Sequence, residues 1–242
     1  MNDTISPLIE KSGAFKDVLA CIRGGKLPCS VFGVTQNAKP YFAQALRKNA
    51  HTQVLCITAT EQGARDMAAA QGGVLFPDND FSLRSVEAKG REEELRRVGI
   101  LKNTAQAKGV VYLSVRTFLS RMLPPDRFRE SCLLLQTGRE YDPEELLHAL
   151  ARSGYERAGT VYSKGECARR GEILDIFPSD SKRPLRVTFF DNEIESIRFF
   201  DSETQKSEKK TLAEYLLPPA REVVLDEEAK DKLCLLYTSR CV

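Results

Sequence analysis

Tryptophan is missing altogether, and histidine occurs only at His51 and His148, in a chain of 242 residues. Neither histidine has a cysteine or carboxylate cluster near it in sequence, so a His-based catalytic triad or a zinc centre lacks its raw material. Both are expected to be ordinary surface or helix residues. The seven cysteines (Cys21, Cys29, Cys56, Cys132, Cys167, Cys234 and Cys241) contain no C-x-x-C pair and are odd in number, which argues against a disulfide framework. Several lie in apolar runs such as Val54-Leu-Cys-Ile57, where a thiol behaves as a small buried hydrophobe. Reduced, structural cysteines are expected. No apolar run reaches membrane-spanning length, and the polar start Met1-Asn-Asp-Thr4 lacks the basic-then-apolar order of a signal peptide. A cytoplasmic location with no membrane partner follows as the expectation. Charge of one sign is also lacking: 36 Lys and Arg against 34 Asp and Glu leave a net charge of +2, which gives no prior for a nucleic-acid surface.

What is present suits one large or two ordinary domains, with 42% hydrophobic residues. From about residue 28 to 122 short apolar runs alternate with helical stretches: 30–33 then 38–49, 53–57 then 60–71, 73–76 then 91–105, and 110–115 then 116–122. Strands alternating with helices predict a parallel α/β sheet. In the helix at 91–105, Glu92 and Glu93 precede Arg96 and Arg97 by four residues, the spacing of a solvated face with supporting ion pairs. Leu123-Pro-Pro-Asp126 breaks the pattern and predicts a boundary. Beyond it come a strand at 132–136 and a helix from Asp142-Pro143 to Gly154. Strand-like segments follow at 155–163, 166–177, 185–190 and 193–200, an antiparallel α+β pattern. After Pro218-Pro219, the stretch Arg221-Glu-Val-Val-Leu225 reads as the opening of another unit, and Cys234 to Val242 continues no period, as a truncated frame would.

Gly33-Val-Thr-Gln-Asn-Ala-Lys39-Pro40 stands between an apolar run and a helix-like run, the setting of a Walker A phosphate loop. The register is right and the parts are wrong. A working loop reads G-x-x-x-x-G-K-[ST], but Ala38 stands for the second Gly and Pro40 for the magnesium-binding hydroxyl. Ala38 puts a Cβ where phosphate must approach the backbone, and Pro40 offers neither a metal ligand nor an N–H. Lys39 alone cannot make an ATPase. An ordinary βα turn is the bland reading of the same eight residues.

The most specific signal lies at 167–207. Ile173, Asp175 and Phe177 share one strand face and Leu174 and Ile176 the other, so a carboxylate interrupts an apolar meander. Arg170, Arg186 and Phe190 fall near the ends of neighbouring strands. Displayed together they would make a protein-binding anchor set; alternatively the rings are core and the arginines pair with Asp175, Asp191 or Glu193.

The run Arg170-Gly-Glu-Ile-Leu-Asp175-Ile-Phe-Pro178, then Arg186-Val-Thr-Phe-Phe190, Glu193-Ile-Glu-Ser-Ile-Arg198-Phe-Phe200 and Gln205-Lys-Ser207, resembles the pattern shared by bacterial transcription-repair coupling factors and the excision-repair subunit UvrB. The resemblance extends over roughly residues 28–225. It implies an α/β fold: a vestigial RecA-like parallel domain at 1–125, a smaller α+β domain with an antiparallel sheet at 126–217 that binds UvrA, and the truncated start of a further domain at 218–242. Carried over by motif, the UvrA-binding residues are Arg170, Arg186 and Phe190. Thr188 departs from the pattern, where an acidic residue is usual. UvrB resembles an active ATPase and carries a tyrosine-rich hairpin before its equivalent of the 91–105 helix; here Phe76-Pro-Asp-Asn-Asp-Phe81 leads almost directly to Arg84. Both differences place the chain on the coupling-factor side. The resemblance thus implies a UvrA-recruiting module without catalytic, metal or cofactor sites of its own. RNA polymerase, double-stranded DNA, ATP and magnesium would be handled by translocase domains downstream. Two alternatives stay open: a divergent UvrB-like subunit that binds ATP through Lys39, and a DNA-binding module using Arg96, Arg97, Arg116 and Arg121.

Overall fold

The computed structural model describes residues 5–78, 87–105 and 109–222. In chain order the elements are α1 (Ser6–Lys11), α2 (Gly13–Arg23), a 3-10 turn (Gln36–Ala38), α3 (Lys39–Ala50), β1 (Val54–Thr58), α4 (Glu61–Gln71), β2 (Val74–Leu75), α5 (Glu87–Ala105), β3 (Val110–Ser114), α6 (Val115–Leu119), α7 (Pro125–Glu130), β4 (Leu133–Gln136) and α8 (Pro143–Arg152). There follow β5 (Glu156–Arg157), β6 (Glu166–Arg170), β7 (Ile173–Ile176), β8 (Leu185–Phe190), β9 (Glu193–Phe200), β10 (Ser207–Leu212) and β11 (Glu214–Leu217). The chain divides into two compact units, Met1–Leu83 with Asn103–Arg121, and Arg84–Lys102 with Met122–Val242. No helix among the described residues is long and apolar enough to cross a membrane.

In the first unit three parallel strands lie in the order β1-β3-β2. Ala43 of α3 and Ala64, Met67 and Ala68 of α4 cover one face, against Leu75, Val110 and Tyr112. Small residues let those helices lie close to the strands. Thr60 caps α4 by accepting from the Gly63 amide, and Gly72 ends it in the left-handed region at φ 66°. At Gly73 a Cβ would come within 2.2 Å of the Tyr112 ring, so the residue beside β2 has to be glycine. The strand expected at 30–33 does not form. Between Pro28 and Gly33, which turns left-handed at φ 80°, the backbone enters no ladder and Phe32 is 89% exposed. Four residues between a proline and a turning glycine offer too little paired backbone to hold a strand.

In the second unit six strands run β10-β9-β8-β7-β6-β5, antiparallel except for the short β5–β6 pair, and β11 pairs with β4 in a separate two-stranded sheet. Leu146, Leu147 and Leu150 of α8 pack on Leu174, Ile176, Leu185, Val187, Ile194 and Ile197. The helix starts as its sequence predicts, with Asp142 accepting from the Glu144 and Glu145 amides and Pro143 in the first turn. The segment expected as one strand over 166–177 is a hairpin, because Gly171 turns at φ 60°. Pro124-Pro125, read as a break, opens α7: proline is tolerated in a helix's first turn.

Helix α5 was expected within the parallel domain, yet up to Lys102 it belongs to the second unit. Leu95 joins that unit's core, and Gly99 lies so close to Ser179 and Asp180 that a Cβ would meet their backbone at 3.0 Å. Arg97 forks onto Glu222 with bonds of 2.8 and 2.7 Å, and Lys102 reaches Asp180 at 2.6 Å. The expectations for 79–84 and for the C-terminal stretch from residue 223, Cys234 and Cys241 included, lie outside the described residues.

Candidate protein-binding surface

The six-stranded sheet has two unlike faces. Leu174, Ile176, Val187 and Ile197 point into the core, while Asp175, although equally buried, belongs to the opposite face. A buried carboxylate is tolerated only when paired and hydrogen-bonded. The ladder register supplies the pairing by setting Arg186 of β8 directly across from Asp175 of β7. Arg186 donates from Nε to Oδ1 at 2.7 Å and from Nη2 to Oδ2 at 2.9 Å, and Arg170 adds a bond from Nη2 to Oδ2 at 3.0 Å. The bonds to Asp175 hold the Arg186 proton more firmly than usual.

Arg186 also reaches across the sheet. Its Nη1 donates to the Gln205 carbonyl at 3.0 Å and to Ser207 Oγ at 3.3 Å, and its guanidinium lies 4.5 Å over the Phe200 ring. Gln205 can receive it because the preceding turn is built for the purpose. Asp201 Oδ1 accepts from the Glu203 and Thr204 amides and the Thr204 hydroxyl, and Gln205 sits left-handed at φ 58°. Those bonds, led by the one from the Thr204 amide, hold the Asp201 carboxyl below the usual carboxylate range.

Phe190 ends β8 on the same face. Strand alternation turns Phe189 inward and leaves Phe190 71% exposed, and the register shift, which skips Glu195 of β9, sets Ile194 opposite Phe189. Arg170 heads the row Arg170, Ile173, Thr188, Ser196 across β6 to β9. Its side chain is half exposed. The three residues singled out from sequence therefore share one sheet face, with Arg170 and Arg186 meeting on Asp175. The arginines pair with Asp175, while Phe190 lies outside the core and Arg170 still presents its edge to solvent. Thr188 stands half-buried in the middle of the face, which therefore has no carboxylate there. Sequence reasoning overlooked Asp201 and Gln205 as supports, although Gln205 and Ser207 lie in the quoted motif.

In the first unit the loop at 33–40 is closed by hydrogen bonds of its own. The Ala38 and Lys39 amides both donate to the Thr35 carbonyl, at 3.0 and 3.2 Å, and Lys39 Nζ donates to Gln36 Oε1 at 2.9 Å. Pro40 is buried in the first turn of α3. Of the arginines considered for DNA, Arg97 is 1% exposed and engaged by Glu222, and Arg96 faces Glu93 at 3.9 Å. Arg97 therefore has no surface to offer a phosphate. Arg116 and Arg121 are exposed.

Residues 133–222 match the family model described as the UvrB interaction domain. The chain is 28% identical over 236 residues to the transcription-repair-coupling factor of Bacillus subtilis, covering 94% of this chain and 20% of that protein. It is 33% identical over 161 residues to the coupling factor of Haemophilus influenzae, covering 66% and 14%, and 35% identical over 122 residues to that of Escherichia coli K12, covering 50% and 10%. The chain spans about a fifth or less of the length of these relatives, 20% at most.

Proposed function

We propose that the chain, similar to the UvrB interaction domain and to transcription-repair-coupling factors, is a UvrB-homology module of that family and a docking adaptor that recruits UvrA in transcription-coupled repair. The observation that carries the proposal is the exposed Phe190 ring sharing a sheet face with two arginines locked on Asp175. An aromatic ring and preorganised guanidinium groups are what protein interfaces use as anchors, since little side-chain entropy remains to be lost on binding. In this reading Arg170 and Arg186 offer charge-assisted bonds to carboxylates of UvrA, and Phe190 fills an apolar pocket.

Residues 126–217 then form the UvrA-binding domain, 1–125 a vestigial RecA-like domain, and 218–242 the start of the next. This module turns over no substrate and holds no nucleotide or magnesium. The spent amides of Ala38 and Lys39 and the missing N–H of Pro40 support that assignment. The remainder of a full-length protein would bind stalled RNA polymerase and double-stranded DNA and displace the polymerase with ATP, leaving UvrA delivered at the lesion. Immobilised chain should retain UvrA without nucleotide, and Arg170→Ala should retain clearly less. Equal retention by the variant removes Arg170 from the interface.

A further inference from the structure

A third guanidinium shares the row of Asp175 and Arg186. The register runs Ala168, Asp175, Arg186, Arg198, Thr211 from β6 to β10, so Arg186 and Arg198 stand directly opposite each other on neighbouring strands. Like charges so placed repel. The carboxylate in that row lies beyond Arg186, where Arg186 and Arg170 already occupy it. The Arg198 side chain makes no hydrogen bond or ion pair with any described residue, and its Nε is a buried donor without an acceptor. Guanidinium groups withdrawn from water ordinarily find acceptors for their N–H groups. Its neighbours on the face are Thr188, Ser196 and Thr211, which carry no charge to balance it.

We infer that Arg198 belongs to the docking surface, where it receives a carboxylate, the side chain of an aspartate or glutamate, from the partner protein. The inference rests on the proposed docking of UvrA and adds to it a residue and a chemistry. In the free chain the Nε–H is buried and unmet, so a partner that brings an acidic group to the half-buried Arg198 draws the guanidinium outward and releases a stranded donor. A partner without one leaves the donor stranded, which makes the position a selector as well as a contact. The rest of the face favours protein over nucleic acid. Phe190 and the half-buried Ile173 add apolar area, while the exposed Glu172, Asp191 and Glu193 rim one end, where the Phe189 amide donates to the Glu172 carbonyl at 2.8 Å. Such a rim repels a phosphate backbone and suits a protein surface of mixed charge.

The test is calorimetric titration of UvrA with the wild-type chain and with its Arg198→Gln, Arg198→Lys and Phe190→Ala variants, with the thermal unfolding of each followed in parallel. Arg198→Gln should weaken binding about tenfold or more, with an unfolding midpoint at or above that of the wild type because a like-charge contact is gone. Arg198→Lys keeps the charge without placing a donor at the Nε position and should remain weakened. If Arg198→Gln melts early, the lysine variant carries the test, and full affinity in it overturns the inference. Wild-type affinity in Arg198→Gln beside weakened Phe190→Ala overturns the role of Arg198 alone. Failure of the wild-type chain to bind UvrA overturns the docking reading beneath it. An equal loss of duplex-DNA binding in Arg198→Gln would assign the residue to phosphate and overturn the inference as well.

Discussion

Arg186 grips both carboxylate oxygens of Asp175 across the β7–β8 ladder, at 2.7 and 2.9 Å, and the carboxylate beneath it is completely buried. The pair orients Arg170, ties β7 to the turn before β10, and removes a charge from an apolar meander. Asp175→Ala would leave two guanidinium groups, those of Arg170 and Arg186, without their carboxylate. Breaking a buried pair by removing one partner costs about 3–5 kcal/mol. Urea unfolding of Asp175→Ala should show a loss of that order, and a loss below about 1 kcal/mol would mean that the pair behaves as a surface bridge.

Arg97 and Glu222 form a second buried pair, 1% and 7% exposed, which binds the end of the described chain to α5. The Glu222 amide is itself held by Glu94 Oε1 at 2.9 Å. Arg97→Met alone should destabilise the second unit by about 3 kcal/mol or more, whereas Arg97→Met with Glu222→Leu should recover much of the loss, because an apolar pair strands no charge. Unfolding free energies of both variants decide the matter. A double variant no better than the single one contradicts this account of the clasp.

Lys39 is tethered to Gln36 and the amides around it are spent, so nucleotide should find no cradle. A fluorescent ATP analogue should show no saturable binding at micromolar concentration, and Lys39→Ala should behave as the wild type does. Micromolar affinity abolished by Lys39→Ala would revive the UvrB-like alternative.

The turn that delivers Gln205 to Arg186 depends on an ionised Asp201, whose folded pKa is lowered chiefly by the Thr204 amide. A carboxyl with a depressed folded pKa stabilises the fold at pH above its ordinary value and loses that contribution as pH falls through the lowered one. Asp201→Asn keeps an acceptor oxygen but not the charge. The stability advantage of the wild type over Asp201→Asn should therefore be flat above about pH 5 and shrink below about pH 4. An advantage that grows with acid contradicts the role given to Asp201.

Much of this surface could be read from the chain because strand alternation at 173–177 and the capped helix from Asp142 are local signals. Others were not local. The opposition of Arg186 and Arg198 is set by register between two strands, and neither strand encodes it alone. The strand β10, Ser-Glu-Lys-Lys-Thr-Leu, has no apolar period because it is a charged sheet edge. The membership of α5 in the second unit depends on a pair 125 residues apart, Arg97 with Glu222, which looked in sequence like one more charge on a solvated face. The strand expected before Lys39 fails for want of a neighbour, something four apolar positions cannot reveal.

Phe190 offers the most direct test, since a 71% exposed ring on a strand end contributes little to the fold. Phe190→Ala should unfold within about 0.5 kcal/mol of the wild type and lose about 2 kcal/mol of affinity for UvrA in calorimetric titration. Unchanged UvrA affinity in a normally folded Phe190→Ala chain would contradict the claim that this sheet face is the docking surface.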